Sequence, residues 1–263
     1  MTNTAKIGII GGSGLYELGL LDRACAVSLH TPYGPHSTGF SVGAICETPV
    51  AFVPRHGLGH SIPPHRVPYR ANLWALHALG VRRILTVSAM GGTRTHFRIG
   101  DVCVPDQIVD WTKGRPSTFF DGPQVVHTPF SEPFCPRLRR RLVDAGRHTS
   151  GVRVHENGTV LVFDGPRFST RAESLLFREV IGADLLSMTA MPEAILAREL
   201  GICYATVAVI SDLDAFGDEP VCAEDVNAVM RKSYPALADV LRRAIAACSP
   251  DEPCTTCADP AHT

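Results

Sequence analysis

The sequence has no excess of either charge. Its 263 residues include 25 lysines and arginines and 26 aspartates and glutamates, which gives a formal net charge of -1, and the basic residues are scattered. Proteins that bind nucleic acid or anionic membranes electrostatically concentrate positive charge in a patch or stripe. The composition therefore predicts neither a nucleic-acid partner nor a membrane partner.

Long apolar runs and a signal-peptide pattern are also missing. No segment reaches the length of a membrane-spanning helix, and the residues from Met1 to Lys6 lack the features of a signal peptide. We therefore expect a soluble, cytoplasmic protein. Internal repeats and linkers are absent too, which predicts one domain over residues 1–247, followed by a cysteine-containing tail over residues 248–263.

The glycine pattern of a dinucleotide site is incomplete. A predicted strand at residues 6–10 leads into Gly12 and Gly14, but the third glycine position holds Glu17. A loop of this kind exposes backbone N–H groups and the Ser13 hydroxyl, which suit a small anion. A simple tight turn is an equally good interpretation of these residues alone.

Nine cysteines are many for a cytoplasmic protein. Most lie in apolar surroundings, where a free thiol behaves as a small buried hydrophobe. The exception is the pair Cys254 and Cys257, whose spacing suits a zinc ion or a disulfide, although a closed zinc site needs four ligands. Cys248 and His262 are candidates for the other two. We favour a partly disordered tail with a reactive thiol pair over a disulfide, and rank a metal last.

The stretch from Val50 to Thr93 predicts a parallel sheet. Apolar segments at residues 50–54 and 83–88 flank a helix at about 71–79. Strands that are apolar throughout are typical of parallel sheets covered by helices on both faces. We predict a single α/β domain with a central, mixed but mostly parallel twisted sheet. Further strands are expected at 100–105, 107–110, 158–163, 184–187 and 203–211, and helices at 136–146, 171–180, 192–200 and 224–247.

Polar residues follow the strands at the ends where α/β sheets bind ligands. Arg55 and His56 follow one strand, Ser88 a second and Thr189 a third. Arginine offers a fork of donors that matches an oxyanion, while hydroxyls and helix N-termini add neutral donors. Each residue alone is more often a surface or network residue, but their shared position predicts a phosphate pocket.

Two acids, Asp212 and Asp214, follow the most hydrophobic strand. Residues two apart in an extended chain point the same way, and a carboxyl beside another carboxylate can have a raised pKa and donate a proton. The pair could bind a metal, neutralise arginines or hydrogen-bond a heterocycle. No histidine or further acid lies close in sequence, which disfavours the metal; pairing with an arginine remains a serious alternative.

Six segments carry a resemblance that covers residues from about Ile7 to Leu241: GGSGLY at 11–16, PRHG at 54–57, VPYRAN at 67–72, GPRFSTRAES at 165–174, SMTAMPE at 187–193 and SDLD at 211–214. They resemble the 5'-methylthioadenosine phosphorylases, the trimeric branch of the purine nucleoside phosphorylase family. The resemblance implies that a purine nucleoside and inorganic phosphate are converted to free base and a ribose 1-phosphate, with phosphate as co-substrate and no metal or organic cofactor.

The same resemblance implies residue roles. Phosphate would be held by Ser13, Arg55, His56, Ser88, Ala89 and Thr189. Met188 would contact the ribose and Phe168 the base, while Asp212, the candidate general acid, and Asp214 would bind purine N7 and the 6-amino group. The pocket for the 5' substituent would be lined by Val226, Val229 and Met230, with His127 contributed by a neighbouring subunit. Most relatives have asparagine where this chain has Ser187, which affects how ribose or base is positioned, although serine can still bond locally.

Several functions remain open on the sequence alone. Acids at 212 and 214 favour adenine, because a carboxylate accepts from a 6-amino group and repels a 6-oxo group. The alternatives are a 6-oxopurine or methylthioinosine phosphorylase, a nucleoside hydrolase, and a non-catalytic purine-binding protein. The 5' substituent stays open among methylthio, halogen and hydroxyl.

A long irregular stretch, residues 111–133, predicts self-association. It carries His127, Phe119 and Phe120, and loops of this length are usually functional or packed against a partner. We therefore expect a homotrimer in which this stretch packs on a neighbour and completes its pocket.

Overall fold

A computed structural model describes residues 5–12, 19–214, 220–249, 254 and 257. The strands in these ranges are β1 (Ile7–Gly11), β2 (Asp22–Ala26), β3 (Ser41–Ile45), β4 (Thr48–Pro54), β5 (Arg83–Gly92), β6 (Val102–Cys103), β7 (Gln107–Asp110), β8 (Val154–His155), β9 (Thr159–Val162), β10 (Leu185–Ser187) and β11 (Cys203–Asp212). The helices are α1 (Tyr69–Ala78), α2 (Pro136–Arg147), α3 (Arg171–Leu175), α4 (Ala190–Glu199) and α5 (Ala223–Ala246).

Four parallel strands form the centre of the sheet. β1 pairs in parallel with β4 on one side and β5 on the other, and β11 pairs in parallel with β5. The two apolar strands that the sequence predicts to be parallel are β4 and β5. They lie on either side of β1 and do not pair with each other. Their carboxyl ends open at one edge of the sheet, which brings the residues after β4 and β5 to a common crevice.

Antiparallel pairs extend this centre into a mixed sheet. The order is β2-β3-β4-β1-β5-β10-β9-β7, and β11, β6 and β8 branch from β5. β2, β3 and β4 form an antiparallel meander, while β10 runs antiparallel to β5 and parallel to β9. The predicted α/β domain with a large mixed sheet flanked by helices is confirmed.

Helices cover both faces of the sheet with separate apolar clusters. On one face α1 and α4 supply Leu73, Leu76 and Leu196; on the other, α2 and α5 supply Leu138 and Leu241. β11 alternates between these clusters, as a strand buried on both faces must. No helix in the described ranges combines the length and apolarity that crossing a membrane requires.

Two helices depart from the predicted pattern. The segment expected as one helix over 171–180 is α3, capped by a reciprocal hydrogen-bonded pair of Thr170 and Glu173, followed by a π-helical turn over Leu176–Ile181. α4 begins before its predicted start at Pro192, but Met191 has an extended conformation. A residue that precedes proline avoids the helical region for steric reasons, which explains this kink.

Candidate active site

A cavity of about 850 Å³ opens at the carboxyl ends of the central strands. This size suits a small organic ligand. The cavity is lined by most of the residues that the sequence singles out: Arg55, His56, Ser88, Ala89, Phe168, Ser187, Met188, Thr189, Asp212, Asp214, Val226 and Met230. Segments far apart in the chain therefore meet around one volume.

Three of the expected site residues are not among those lining the cavity. Ser13 lies outside the described residues. His127 is exposed and lies away from the cavity of its own chain. Val229 packs against the apolar cluster beneath α5. The face of α5 that lines the cavity carries residues 223, 226, 227, 230, 231 and 234, and at about 100° per residue Val229 lies roughly 120° from its middle.

Arg55 is held by a buried ion pair that sequence inspection does not reveal. Its Nε donates to Oε1 of Glu193, and its Nη2 donates to Oε2 at 3.0 Å. Tyr204 also donates to Oε2 of Glu193, at 3.0 Å. Glu193 lies in the first part of α4, so the SMTAMPE segment orients the arginine that follows β4.

The guanidinium of Arg55 lines the cavity and has N–H groups that can still donate hydrogen bonds. Burial alone would lower the pKa of Arg55, but the charge and hydrogen bonds of Glu193 outweigh burial and raise it, so the group is a permanent cation. A guanidinium carries five N–H groups. Glu193 takes two of them and the Val87 carbonyl, at 3.5 Å, takes a third. By this count two N–H groups have no partner among the described residues and can bind an anion.

His56 presents a neutral imidazole. Its Nδ1 lies 2.8 Å from the carbonyl oxygen of Ile62, which can only accept, so Nδ1 carries the hydrogen. Burial, followed by the charges of Arg55 and His60, lowers the pKa of His56 to about 3. At neutral pH its Nε2 therefore offers a lone pair, which accepts the hydrogen of a protonated oxyanion such as monohydrogen phosphate.

Ser187 forms local hydrogen bonds with the start of α4. The Ser187 hydroxyl accepts from the backbone N–H groups of Thr189 at 3.3 Å and Ala190 at 3.4 Å. The serine thus bonds locally and tethers the turn that carries Met188 and Thr189. The positive end of the α4 dipole lies at the same place and favours a bound anion.

Arg115 fixes two walls of the cavity to each other. Its buried side chain donates to the carbonyl oxygens of Met188 at 2.8 Å, Met191 at 2.8 Å and Asp164 at 2.7 Å, and to Oδ1 of Asp164 at 3.0 Å. The irregular stretch that carries Arg115 therefore has a role within its own chain. Phe119 likewise packs on Tyr33 of the same chain, with ring centroids 5.1 Å apart.

The acidic end of the cavity combines a carboxyl whose pKa is raised with a buried carboxylate oxygen that has no partner in the part of the chain that the structure describes. Oδ2 of Asp212 accepts from Ser211 at 2.8 Å, and its Oδ1 accepts from the Asp214 N–H at 3.1 Å. Burial is the largest cause of the raised pKa of Asp212, and the charge of Asp214 adds to it. Oδ1 of Asp214 accepts from Ser169 at 2.7 Å. Its buried Oδ2 has no partner among the described residues.

This arrangement can act on two neighbouring positions of a heterocycle. A protonated Asp212 donates to a ring nitrogen, while Oδ2 of Asp214 accepts from an exocyclic N–H group. The donors of Arg55 and Thr189 line the same cavity and suit an anion. The geometry therefore fits a ligand with an anion at one end and an aminated ring at the other.

Known proteins that are similar to this chain in sequence and in fold include phosphorylases. Residues 6–246 match the family described as the phosphorylase superfamily. S-methyl-5'-thioadenosine phosphorylase of Saccharolobus solfataricus is 48% identical over 229 residues, which cover 87% of this chain and 84% of the relative.

Solved structures that resemble this chain also include methylthioadenosine phosphorylases. A methylthioadenosine phosphorylase from an antarctic soil metagenomic library superposes with a TM-score of 0.90 at 40% identity and covers 95% of this chain and 88% of its own. A mutant adenosine/methylthioadenosine phosphorylase of Schistosoma mansoni in complex with methylthioadenosine gives 0.86 at 36% identity, with 92% and 91% coverage. This chain belongs to the phosphorylase superfamily, in the family of the S-methyl-5'-thioadenosine phosphorylases.

Proposed function

We propose that this protein splits 5'-methylthioadenosine with inorganic phosphate into adenine and 5-methylthioribose 1-phosphate. The observation that carries the proposal is one cavity that holds both a buried arginine with spare donors, Arg55, and a buried carboxyl with a raised pKa, Asp212. Phosphorolysis needs both, because it joins a phosphate to a sugar while a purine leaves.

The reaction places charge where these residues lie. An oxygen of phosphate forms a bond to C1' of the sugar as the C1'–N9 bond breaks, and the bonding electrons go to the purine. Asp212 transfers its proton to N7, so adenine leaves as a neutral base. Arg55 and the hydroxyls of Ser88 and Thr189 hold the phosphate under C1'. His56 accepts a hydrogen bond from the P–OH group that remains on the phosphate. Phosphate is the nucleophile, with no further cofactor in the scheme.

The choice of purine is assigned to Asp214. Its Oδ2 is buried beside the cavity and accepts the 6-amino hydrogen of adenine. A 6-oxopurine would set its carbonyl oxygen against this carboxylate and leave two acceptors facing each other. The 6-oxopurine and methylthioinosine alternatives are therefore not favoured.

The 5' end of the sugar is assigned to the wall formed by α5. Val226 and Met230 present apolar surface to the cavity, which favours a methylthio group over a hydroxyl. One methylene-sized group changes affinity by only about 1 to 3 kcal/mol, so adenosine is expected as a weaker substrate rather than a rejected one.

We further propose a cytoplasmic homotrimer in which His127 of one chain completes the 5' pocket of the next. This role is consistent with the exposed position of His127 and with its distance from the cavity of its own chain. In this assignment residues 1–247 are the phosphorylase domain and residues 248–263 are a C-terminal extension.

A substrate panel with and without phosphate tests the function. Methylthioadenosine, adenosine, a 5'-halogenated deoxyadenosine and inosine are each assayed for free base and sugar phosphate. We expect phosphate-dependent turnover with methylthioadenosine first and inosine last. Base release that is independent of phosphate would identify a hydrolase, a preference for inosine would support the 6-oxopurine alternative, and binding without turnover would identify a purine-binding protein.

A further inference from the structure

Four cysteine sulfurs meet at the end of β11 remote from the cavity. The sulfur atoms of Cys135, Cys203, Cys254 and Cys257 all lie within 4.8 Å of one another. Three of the residues are buried and Cys254 is half-buried. The sequence suggests Cys248 and His262 as partners of the terminal pair. His262 lies outside the described residues, and among those described Cys135 and Cys203 complete the cluster.

The spacing of these sulfurs matches a single tetrahedral ion. Four thiolates at about 2.3 Å from a zinc ion lie about 3.8 Å from one another. The sulfurs of Cys135 and Cys254 are 3.8 Å apart. A cluster of several metal ions would hold its cysteine sulfurs further apart, because more than one ion lies between them.

The supporting geometry is rigid where a structural site requires it. Cys135 lies just before the first residue of α2, and its backbone N–H donates to the Tyr204 carbonyl at 2.8 Å. That bond fixes Cys135 beside Cys203, the first residue of β11. Cys254 and Cys257 have the two-residue spacing with which one short segment supplies two ligands to zinc.

The charges around the cluster suit a site with negative charge. One zinc ion with four thiolates carries a net charge of -2. A small cavity of about 10 Å³ beside three of the sulfurs is also lined by Arg83, Arg137 and Arg141. Positive side chains offset the negative charge of such a site, and Cys254 is only half-buried.

We propose that Cys135, Cys203, Cys254 and Cys257 form a structural zinc site that ties the C-terminal segment to the starts of α2 and β11. Four protein ligands close the coordination shell, so the ion has no open position for substrate. β11 separates the cluster from Asp212 by about 30 Å at the usual rise per residue. The site therefore stabilises the fold and takes no part in the reaction.

Metal analysis of the full-length chain without an affinity tag tests the proposal. The protein is expressed in zinc-supplemented medium and purified without chelators, beside a Cys254→Ser/Cys257→Ser variant. The matched control is Cys25→Ser/Cys46→Ser, which replaces two exposed cysteines outside the cluster. We expect about one zinc per chain in the wild type and the control, released when an organomercurial blocks the thiols, and a large loss in the cluster variant.

Two further measurements keep the test decisive if the cluster variant folds poorly. Cobalt exchanged into the wild type should give the strong visible bands of a tetrahedral thiolate site. The cluster variant should lose about 10 °C or more in Tm, while any folded fraction keeps wild-type KM values. Wild-type protein without zinc would overturn the proposal, whether alkylation and mass mapping find four free thiols or disulfides among the four cysteines. Bound iron, or equal zinc in the cluster variant, would overturn it as well.

Discussion

Burial favours the protonated form of Asp212, the residue proposed to give its proton to the leaving purine. Its pKa is raised, so the carboxyl stays protonated at a higher pH than an exposed aspartate. As pH rises through this pKa the proton is lost, and with it the group that stabilises the departing base. The alkaline side of the rate profile should therefore report Asp212.

Asp212→Asn tests this role with little change of shape. We expect kcat to fall by about 100- to 10,000-fold, because an amide does not transfer a proton to N7. The alkaline limb assigned to Asp212 should disappear from the residual activity. The measurement is kcat as a function of pH, together with the KM for phosphate, which should change little because Asp212 lies at the acidic end of the cavity.

A large loss of phosphate binding in Asp212→Asn would instead indicate that the cavity had collapsed. A wild-type alkaline limb in the variant would show that another group carries the proton. The second outcome contradicts the assignment of Asp212 as the acid, whereas the first would attribute the lost activity to structure.

The buried ion pair of Arg55 and Glu193 should support both the stability of the fold and the binding of phosphate. The carboxylate of Glu193 is buried and neutralises a buried guanidinium. Glu193→Gln leaves the arginine charge uncompensated, and breaking a buried pair in this way typically costs about 3 to 5 kcal/mol. We expect a lower free energy of unfolding in urea and a higher KM for phosphate, because Arg55 is no longer held toward the cavity.

Glu179→Gln is the matched control for this change. Glu179 also pairs with an arginine, Arg178, but its side chain is 62% exposed. Exposed pairs contribute about 0 to 1 kcal/mol, so stability and the KM for phosphate should stay near the wild-type values. Equal effects of the two substitutions would remove the special role assigned to Glu193.

The sequence predicts the positions of some site residues but not the partners that hold them. Arg55 and Asp212 follow predicted strands, and strand ends in α/β folds gather at one crevice, so their place could be predicted. The partner of Arg55 could not, because Glu193 is 138 positions away in the chain. The contacts of Arg115 could not be predicted either, because Asp164 is 49 positions away and the other main partners are backbone carbonyls, which leave no mark on the residue types around them. Val229 packs on the apolar cluster beneath α5, because helical phase decides which side of the helix faces the cavity.

At the scale of elements, the pairing of β5 with β11 sets the position of the acid. The register of the two strands shifts between Ile210 and Asp212, and Asp212 lies opposite Gly91. A Cβ atom at Gly91 would lie 2.8 Å from Oδ1 of Asp212. Only glycine at this position leaves room for the carboxyl where it is.

Gly91→Ala should therefore damage catalysis more than folding. The added methyl group pushes the Asp212 carboxyl aside, and a displacement of about 1 Å in a reacting group can cost about 100-fold in rate. Gly92→Ala is the neighbouring control, because its Cβ would meet apolar atoms of Ile210 and Phe97 at 3.1 Å. We expect the control to lose stability while its kcat stays closer to the wild type.

The two variants are compared by kcat and by thermal unfolding. If Gly91→Ala kept full activity, the contact with Asp212 would not control the position of the acid. If Gly92→Ala lost as much kcat as Gly91→Ala, general disturbance of β5 would explain both.

Most elements follow from local pattern, and the exceptions have physical causes. The apolar strands β1, β4, β5 and β11 and the amphipathic helices α2 and α5 could be predicted because burial imposes a period on their residues. The two-residue strand β8 was missed, since so short a segment has no period. The π-helical turn after α3 was also missed, because the same residues suit an α-helix equally well and tertiary contacts decide.

On the scale of the whole molecule, the ends of β11 serve different purposes. Asp212 lies at its carboxyl end in the cavity, and Cys203 lies at its first residue in the cysteine cluster. The proposed chemistry at one end and the proposed metal site at the other do not interfere, because about 30 Å of buried strand separates them. A sequence motif indicates the role proposed for Asp212. The cysteine cluster can be recognised only from the fold, because two of its four cysteines come from distant elements.

The trimer is the last prediction, and mixed assemblies test it directly. His127→Ala should lower kcat/KM for methylthioadenosine about tenfold, equivalent to about 1.4 kcal/mol, by removing a contact at the 5' end. Coexpressed His127→Ala and Asp212→Asn chains should recover activity, because a site with its own Asp212 can borrow His127 from an Asp212→Asn neighbour. Random mixing in a ring would restore about one quarter of the sites. If His127 served its own chain, no site in the mixture would hold both residues and activity would not return. Light scattering that found a fully active monomer would reject the trimer itself.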